Sequence, residues 1–319
     1  MKNDNSIFLE DKNVSSQLDL ALKNKDFSHA YLFVGPKGIG KYAQAKNFAR
    51  AILCGDNKND KSFCNLLYDY FHPDLIEVSS KETIKKEQIE ELIEKAGTKP
   101  FESNKKIILI DGFDNVTIEG QNALLKTLEE PEDYLIIILV SSNIKNILPT
   151  IRSRARILKF QNISVERIYD YLLKTGLSEK NARLFSNLSC GSISLSKRYK
   201  EDVELLKKRD ELIGILDNLI RTGSYYIFSY LDFFKENKEN IEDILNFFSL
   251  WFRDLAFIKI NKKEKIINID KLNILELEDL TLDRILFIYN KILLTKENLS
   301  KNMNYDLSIE ALLMYIGGM

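Results

Sequence analysis

The sequence predicts an α/β domain, built as a parallel sheet with helices on both faces. A small helical unit and an all-α C-terminal domain are predicted to follow. Three observations lead there. Up to about residue 160, short apolar runs of strand length alternate with stretches of helical spacing. The stretch GPKGIGKY, Gly35 to Tyr42, stands between the first such run and the first such helix. All five prolines (Pro36, Pro73, Pro100, Pro131 and Pro149) fall in the first half, which leaves the second half free to be helical.

Taken in order, AYLFVG reads as a strand running into the glycine-rich turn. KYAQAKNFARAIL follows as a helix with Ala45, Phe48, Ala49, Ile52 and Leu53 at helical spacing. DLIEV is a strand. IKKEQIEELIEKA places Ile89, Leu92, Ile93 and Ala96 on one helix face. KIILID and YLIIILVSS are buried-strand runs. Between them lies the helix IEGQNALLKTLEE, closed by Pro131, and ARILKF is the last strand. Strands alternating with helices argue for a parallel sheet covered on both faces. From about Ile163 the pattern is helical, first SVERIYDYLLKTG and SEKNARLFSNLS, then long amphipathic stretches to the C-terminus. Boundaries fall near 162 and 203, giving 1–162, 163–202 and 203–319.

The 319 residues carry 46 basic and 47 acidic side chains, a formal net charge of -1. A dedicated DNA binder carries a basic excess, so nucleic-acid contact is expected to be local or made by a partner. Lys85, Lys86, Lys105 and Lys106 are the candidates, against the plainer reading of a solvated face. The first thirteen residues are polar, and the longest apolar run, Tyr134 to Val140, is too short to span a bilayer. A cytoplasmic protein without membrane contact is expected.

A strand, a G-x-x-x-x-G-K-[ST] loop and a helix form a phosphate cradle. Backbone N–H groups and the helix N-terminus face the anion, the lysine reaches the outer phosphates, and the hydroxyl holds magnesium. Gly35, Gly38, Gly40 and Lys41 are present, but Tyr42 replaces the hydroxyl residue. A phenol is too long and rigid to put its oxygen in the same place. Asp111, ending KIILID, is the carboxylate expected at a neighbouring strand end, but Gly112 stands where hydrolysing proteins of this class carry the acid that polarises water. The residues fit either a loop kept for its fold or a nucleotide held without turnover.

At HAYLFVGPKGIGK, NALLKTLEEP and LPTIRSRAR the sequence resembles the delta-prime family of bacterial DNA polymerase III clamp-loader subunits, AAA+ proteins related to the gamma/tau subunit. The resemblance covers most of the chain. It implies an AAA+ core, a helical lid and a helical collar that builds a ring with gamma/tau and delta subunits. The ring loads a sliding clamp onto primer-template DNA. Ser153 and Arg154 match the Ser-Arg of the family's S-R-C motif, with Ala155 in place of the Cys. The implied role of Arg154 is an arginine finger reaching into a neighbour's ATP site. Its rivals are a surface ion pair for Arg154, and the nearby Arg152 and Arg156. Asn143 matches a residue that senses the terminal phosphate in active relatives, and a loop-forming residue is the alternative. Leu195, in GSISLSK, stands where active members carry Arg.

Family members often carry a four-cysteine zinc module after the phosphate-loop helix. Here Cys54 and Cys64 fit the first two ligand positions within 54–73, and Leu67 and Tyr70 occupy the others. Two cysteines cannot complete a tetrahedral site and His72 reads as part of a turn, so zinc is not expected. Apolar packing by Leu67, Tyr70 and Phe71 is expected in its place, and Cys190 is expected to be buried. No cofactor is required by this reading, which leaves open ATP bound without hydrolysis. It describes a non-hydrolysing ring subunit with a defective ATPase site. The rivals are an active gamma-like ATPase, a scaffold without a finger, and a small-molecule kinase, which would not need NALLKTLEEP.

Overall fold

The computed structural model describes residues 11–55, 72–80, 82–223, 227–301 and 303–318. Two compact units divide them, one drawn from Met1–Tyr171 with Cys190–Leu195, the other from Leu172–Ser189 with Ser196–Met319.

The first unit is built on five parallel strands: β1 (Ala30–Val34), β2 (Leu75–Ser79), β3 (Lys106–Asp111), β4 (Leu135–Ser141) and β5 (Arg156–Lys159). Their order is β2-β3-β4-β1-β5. The two-residue period of a strand sorts the apolar runs onto two faces. Tyr31, Phe33, Leu109, Ile136 and Ile138 pack with Phe48 and Ala49 of α2 (Lys41–Cys54) and with α1 (Lys12–Asn24). Leu32, Val34, Ile108, Ile110 and Ile137 pack with Ile89 and Leu92 of α3 (Lys86–Ala96) and with Leu124 and Leu128 of α4 (Ile118–Glu129). Each such side chain, fully buried, contributes roughly 1.5–3 kcal/mol. Helix α1 is absent from the elements read above. Val14, Leu18 and Ala21 are its buried face, in a segment where polar residues outnumber apolar ones.

Helix α4 starts where Thr117 Oγ1 accepts from the Gly120 N–H at 3.1 Å, and ends one residue before Glu130 and Pro131. Inside it, Gln121 is 1% exposed. Its amide donates to the carbonyls of Val116 and Asn146 and accepts from the Leu148 N–H, which fixes the segment after β4. That segment carries a 3₁₀ turn, Ile144–Asn146, and the short α5 (Pro149–Arg152), with proline at its first position. Lys106 is no DNA candidate: it is 6% exposed, and its ammonium donates to the carbonyls of Lys95 and Thr98. A lysine at the first position of a buried strand is taken up by capping the helix that packs there.

After β5 come α6 (Val165–Lys174), α7 (Glu179–Leu188) and α8 (Ile193–Glu201). Cys190 is exposed, contrary to expectation. It has φ +49° and is followed by Gly191 at φ +89°, so two left-handed residues turn the chain here.

The second unit continues with α9 (Val203–Thr222), α10 (Ile227–Glu236), α11 (Ile241–Lys259), α12 (Leu272–Leu277), α13 (Leu282–Ser300) and α14 (Tyr305–Gly317). Phe247, Phe248, Trp251 and Phe252, read as packing residues, are all buried, beside Leu216, Ile288 and Leu313. A polar network is buried with them. Arg209 holds Asp270 through two bonds of 2.7 and 2.8 Å and Asn268 through two more, and Asn268 in turn donates to Asp254. Removing one member of such a network leaves a buried charge unpaired, at roughly 3–5 kcal/mol. Among the described residues no helix is long and apolar enough to cross a membrane.

Glu278 is 4% exposed and its Oε1 has no hydrogen-bond partner among the described residues. Burial first, and then the Asp217 carboxylate, push its carboxyl up to about 7, against the opposing pull of Arg221 and Lys259. A carboxyl raised in the native state leaves stability intact below its ordinary range, and stability declines as pH rises from there through 7. Glu278→Gln is therefore expected to melt with the wild type near pH 4 and several degrees above it at pH 8, a gain of about 2 kcal/mol. Thermal melts across that range check it.

Candidate functional site

The parallel register brings four strand ends to one edge of the sheet. Ser79 pairs with Asp111, Asp111 with Val140, and Val34 with Ser141. In open α/β sheets, ligands bind outside this carboxyl edge. Gly35 to Gly40 leave β1 here and turn into α2. Gly38 (φ +76°) and Gly40 (φ +92°) take the left-handed conformation, and Gly40 is the helix N-cap. The strand, loop and helix read from the sequence are therefore in place.

Lys41 is 6% exposed. Its ammonium donates to the carbonyls of Gly35 at 2.7 Å and Pro36 at 2.6 Å. Burial lowers it to about 8, while the carboxylates of Asp111 and Asp114 act in the opposite sense. Asp111 is itself raised by burial. Its Oδ2 accepts from Ser79 Oγ at 3.3 Å and its Oδ1 from the Gly112 N–H at 3.1 Å. Tyr42 is half-buried and points to β2, where its hydroxyl donates to Glu77 Oε2 at 2.8 Å. Lys46, one turn further along α2, reaches the same oxygen at 2.7 Å. Burial, and then the bond to Glu77, hold the phenol above its ordinary range.

Gly112 has φ +75°, and a Cβ built there would lie 2.7 Å from the Ser80 carbonyl oxygen. The backbone after Asp111 is thus shaped for glycine, and an acidic residue would enter only with a local rearrangement. Asn143 caps the 3₁₀ turn: its Oδ1 accepts from the Lys145 N–H and its Nδ2 donates to Asn146. Leu195 is half-buried in the first turn of α8. Its neighbours touch the phosphate loop. Ser194 N–H and Ser192 Oγ both donate to the Gly38 carbonyl, at 3.0 and 3.3 Å, and Ser192 Oγ occupies the space a Cβ on Gly38 would take.

Ser153 and Arg154 lie elsewhere, beyond α5 and just before β5, at the amino edge of the sheet. Ser153 Oγ donates to the Thr150 carbonyl at 2.9 Å, and Arg154 Nη1 donates to the same carbonyl at 3.0 Å. Arg154 Nη2 meets Glu129 Oε1, at the end of α4, at 2.7 Å. Arg154 and Arg156 line a cavity of about 380 Å³ with His29, Lys105 and Asp133.

Cys54 ends α2 and is half-buried. Its expected companion Cys64, with Leu67, Tyr70 and Phe71, lies outside the described residues. His72 is buried and its Nδ1 accepts from the Asp74 N–H at 3.0 Å, which is a turn contact. The sequence reading did not single out Glu77, Ser192, Ser194 or Glu129. Glu77 had a visible signal, since a carboxylate inside the apolar strand DLIEV calls for a partner. The two serines sit in GSISLSK beside Leu195, but nothing local ties them to a loop over 150 positions away.

The strand order, the glycine loop entering α2 and the carboxylate ending β3 define a P-loop module of the AAA+ kind. The model of the family described as DNA polymerase III, delta subunit, matches residues 10–164, and a second model, for the C-terminal part of the delta subunit, matches 203–317. The DNA polymerase III subunit delta' of Bacillus subtilis is 32% identical over 256 residues, 77% of each chain. Subunit tau of the same organism is 34% identical over 162 residues, 49% of this chain and 29% of its own. A Thermotoga maritima structure, a DNA polymerase III gamma subunit-related protein, covers 94% of this chain and 98% of its own. Its identity is 16% and its TM-score 0.48, a loose overlay. The chain belongs to the family of DNA polymerase III clamp-loader subunits, related to delta-prime and to gamma/tau.

Gly112→Ala is expected to cost about 1–3 kcal/mol through its positive φ and the contact with Ser80. Gly112→Asn should cost less, because Asn tolerates the left-handed region. Urea denaturation of the two variants measures the difference.

Proposed function

We propose that this clamp-loader subunit does not hydrolyse ATP and instead lends Arg154 to the ATP site of a neighbouring subunit. The observation that carries the reading is the bond from Tyr42 to Glu77. The residue expected to place a hydroxyl on magnesium spends it on a strand carboxylate. Gly112 supports the same conclusion, since its backbone has no ready place for an acid that would polarise water.

The cradle itself remains. Backbone N–H groups of the loop and the Lys41 ammonium could hold the phosphates of a nucleotide, replacing the Gly35 and Pro36 carbonyls as partners of Lys41. Such a nucleotide would be bound without turnover. Its phosphates would draw a proton onto Lys41 near pH 8.

The position of Arg154 supports a role at another subunit's site. It stands before β5, at the amino edge, whereas the phosphate loop leaves the carboxyl edge of β1. A five-residue strand separates those edges by about 16 Å. A guanidinium brought to a transferring phosphoryl group is worth on the order of 10³ or more in rate. In this reading the chain acts with gamma/tau and delta subunits. It reaches the sliding clamp and primer-template DNA through that assembly.

ATP turnover by the purified chain, with magnesium and primed DNA, is expected to equal that of a Lys41→Ala control. Turnover that disappears in Lys41→Ala would establish an ATPase in its own right. In a ring reconstituted with its ATPase subunits, Arg154→Ala should lower turnover at the adjoining site about 10³-fold, and Arg154→Lys should not restore it. Unchanged ring turnover in Arg154→Ala would leave the chain a scaffold.

A further inference from the structure

We infer that Glu129 is the positioning residue for Arg154, holding its guanidinium ready for the neighbour's ATP site; this rests on the finger reading proposed above. The side chain of Arg154 is 35% exposed, and that of Glu129 50%. A long flexible arginine in that setting would ordinarily sample many rotamers. Here it is held at both terminal nitrogens. Nη1 donates to the Thr150 carbonyl one turn back, and Nη2 to the Glu129 carboxylate at 2.7 Å. Ser153 Oγ ties the same turn by donating to Thr150.

Glu129 is itself well placed to orient another group. It is the last residue of α4, whose apolar face is buried through Leu124 and Leu128. Gln121, in the same helix, bonds the segment leading into α5. Two ends of one fixed frame therefore meet in the Glu129–Arg154 pair: the end of α4 and the turn after α5. An ion pair this exposed contributes little to stability. Its consequence is orientation. A guanidinium held before the neighbour's phosphates arrive loses less rotamer freedom when the transition state forms. The carboxylate accepts at one terminal nitrogen and leaves donors on the others for phosphate oxygens.

The test uses the reconstituted ring, arranged so that only the ATP site adjoining this subunit is competent, with four forms of the chain: wild type, Glu129→Ala, Arg154→Ala and the double variant. Glu129→Ala is expected to leave ring assembly, the melting temperature of the chain and the KM for ATP unchanged, and to lower kcat about tenfold. A kcat loss with KM unchanged marks an interaction made in the transition state. In the Arg154→Ala background, Glu129→Ala should have no further effect, because its action passes through the arginine. Glu129→Asp should recover part of the loss.

Normal kcat in Glu129→Ala, with Arg154→Ala inactive, would overturn this inference and leave the finger reading standing. A raised kcat would also overturn it, by making Glu129 a latch that competes with phosphate. An equal loss in both backgrounds would assign Glu129 a structural role apart from Arg154. No effect of Arg154→Ala would remove the finger reading, and the inference with it.

Discussion

Lys41 carries an ammonium group that is 6% exposed, and a cation taken out of water must be given partners. In a phosphate-binding loop the natural partner is the anion. Here the loop supplies two carbonyls of its own, from Gly35 and Pro36, with Asp111 and Asp114 near enough to favour the charge. Much of the carboxyl edge is organised around that arrangement. The loop curls so that its carbonyls face inward at the lysine, and Gly38 and Gly40 take the left-handed turns this needs. The Gly38 carbonyl, turned the other way, is taken up by Ser194 and Ser192. The loop thus has internal partners for its charged group and for an outward-facing carbonyl. Its shape is therefore supported by bonds within the chain.

Tyr42 and Gly112 give the same edge two further local constraints. A hydroxyl residue at position 42 would stay near the loop. The tyrosine instead extends to β2 and shares Glu77 with Lys46. Glu77, a carboxylate in an otherwise largely apolar strand, is thereby given a hydroxyl donor beside its ion pair with Lys46. Gly112 is constrained through its backbone. Its φ of +75° and the nearness of the Ser80 carbonyl make the position one for glycine. An acidic side chain at this position would need a changed main chain.

The sheet was largely legible in the sequence because its evidence is local. The alternation in KIILID and YLIIILV names the strands, and the two faces of the core follow from a period of two. The glycine loop was legible for the same reason, since its chemistry is contiguous. What could not be read depends on pairs far apart in the chain. Tyr42 and Glu77 are 35 positions apart, and Gly38 and Ser192 are 154 apart. Lys106 misled as a surface charge because only the fold places Lys95 and Thr98 carbonyls around it. Cys190 misled because an apolar residue type was weighed above the left-handed turn that carries it.

The two edges of the sheet have been left with different kinds of constraint. At the carboxyl edge the polar groups are turned on one another: Lys41 on the loop, Tyr42 and Lys46 on Glu77, Ser79 on Asp111. At the amino edge the same chain keeps a guanidinium partly open to solvent, anchored by a helix end and a short turn that are themselves fixed by buried contacts. A charged group kept exposed yet restrained contributes little to folding, since its solvation and its entropy largely cancel its pairing. The phosphate loop and Arg154 thus stand at opposite edges of one sheet, the loop bonded within itself and the arginine held at a helix end by contacts that leave it partly in water.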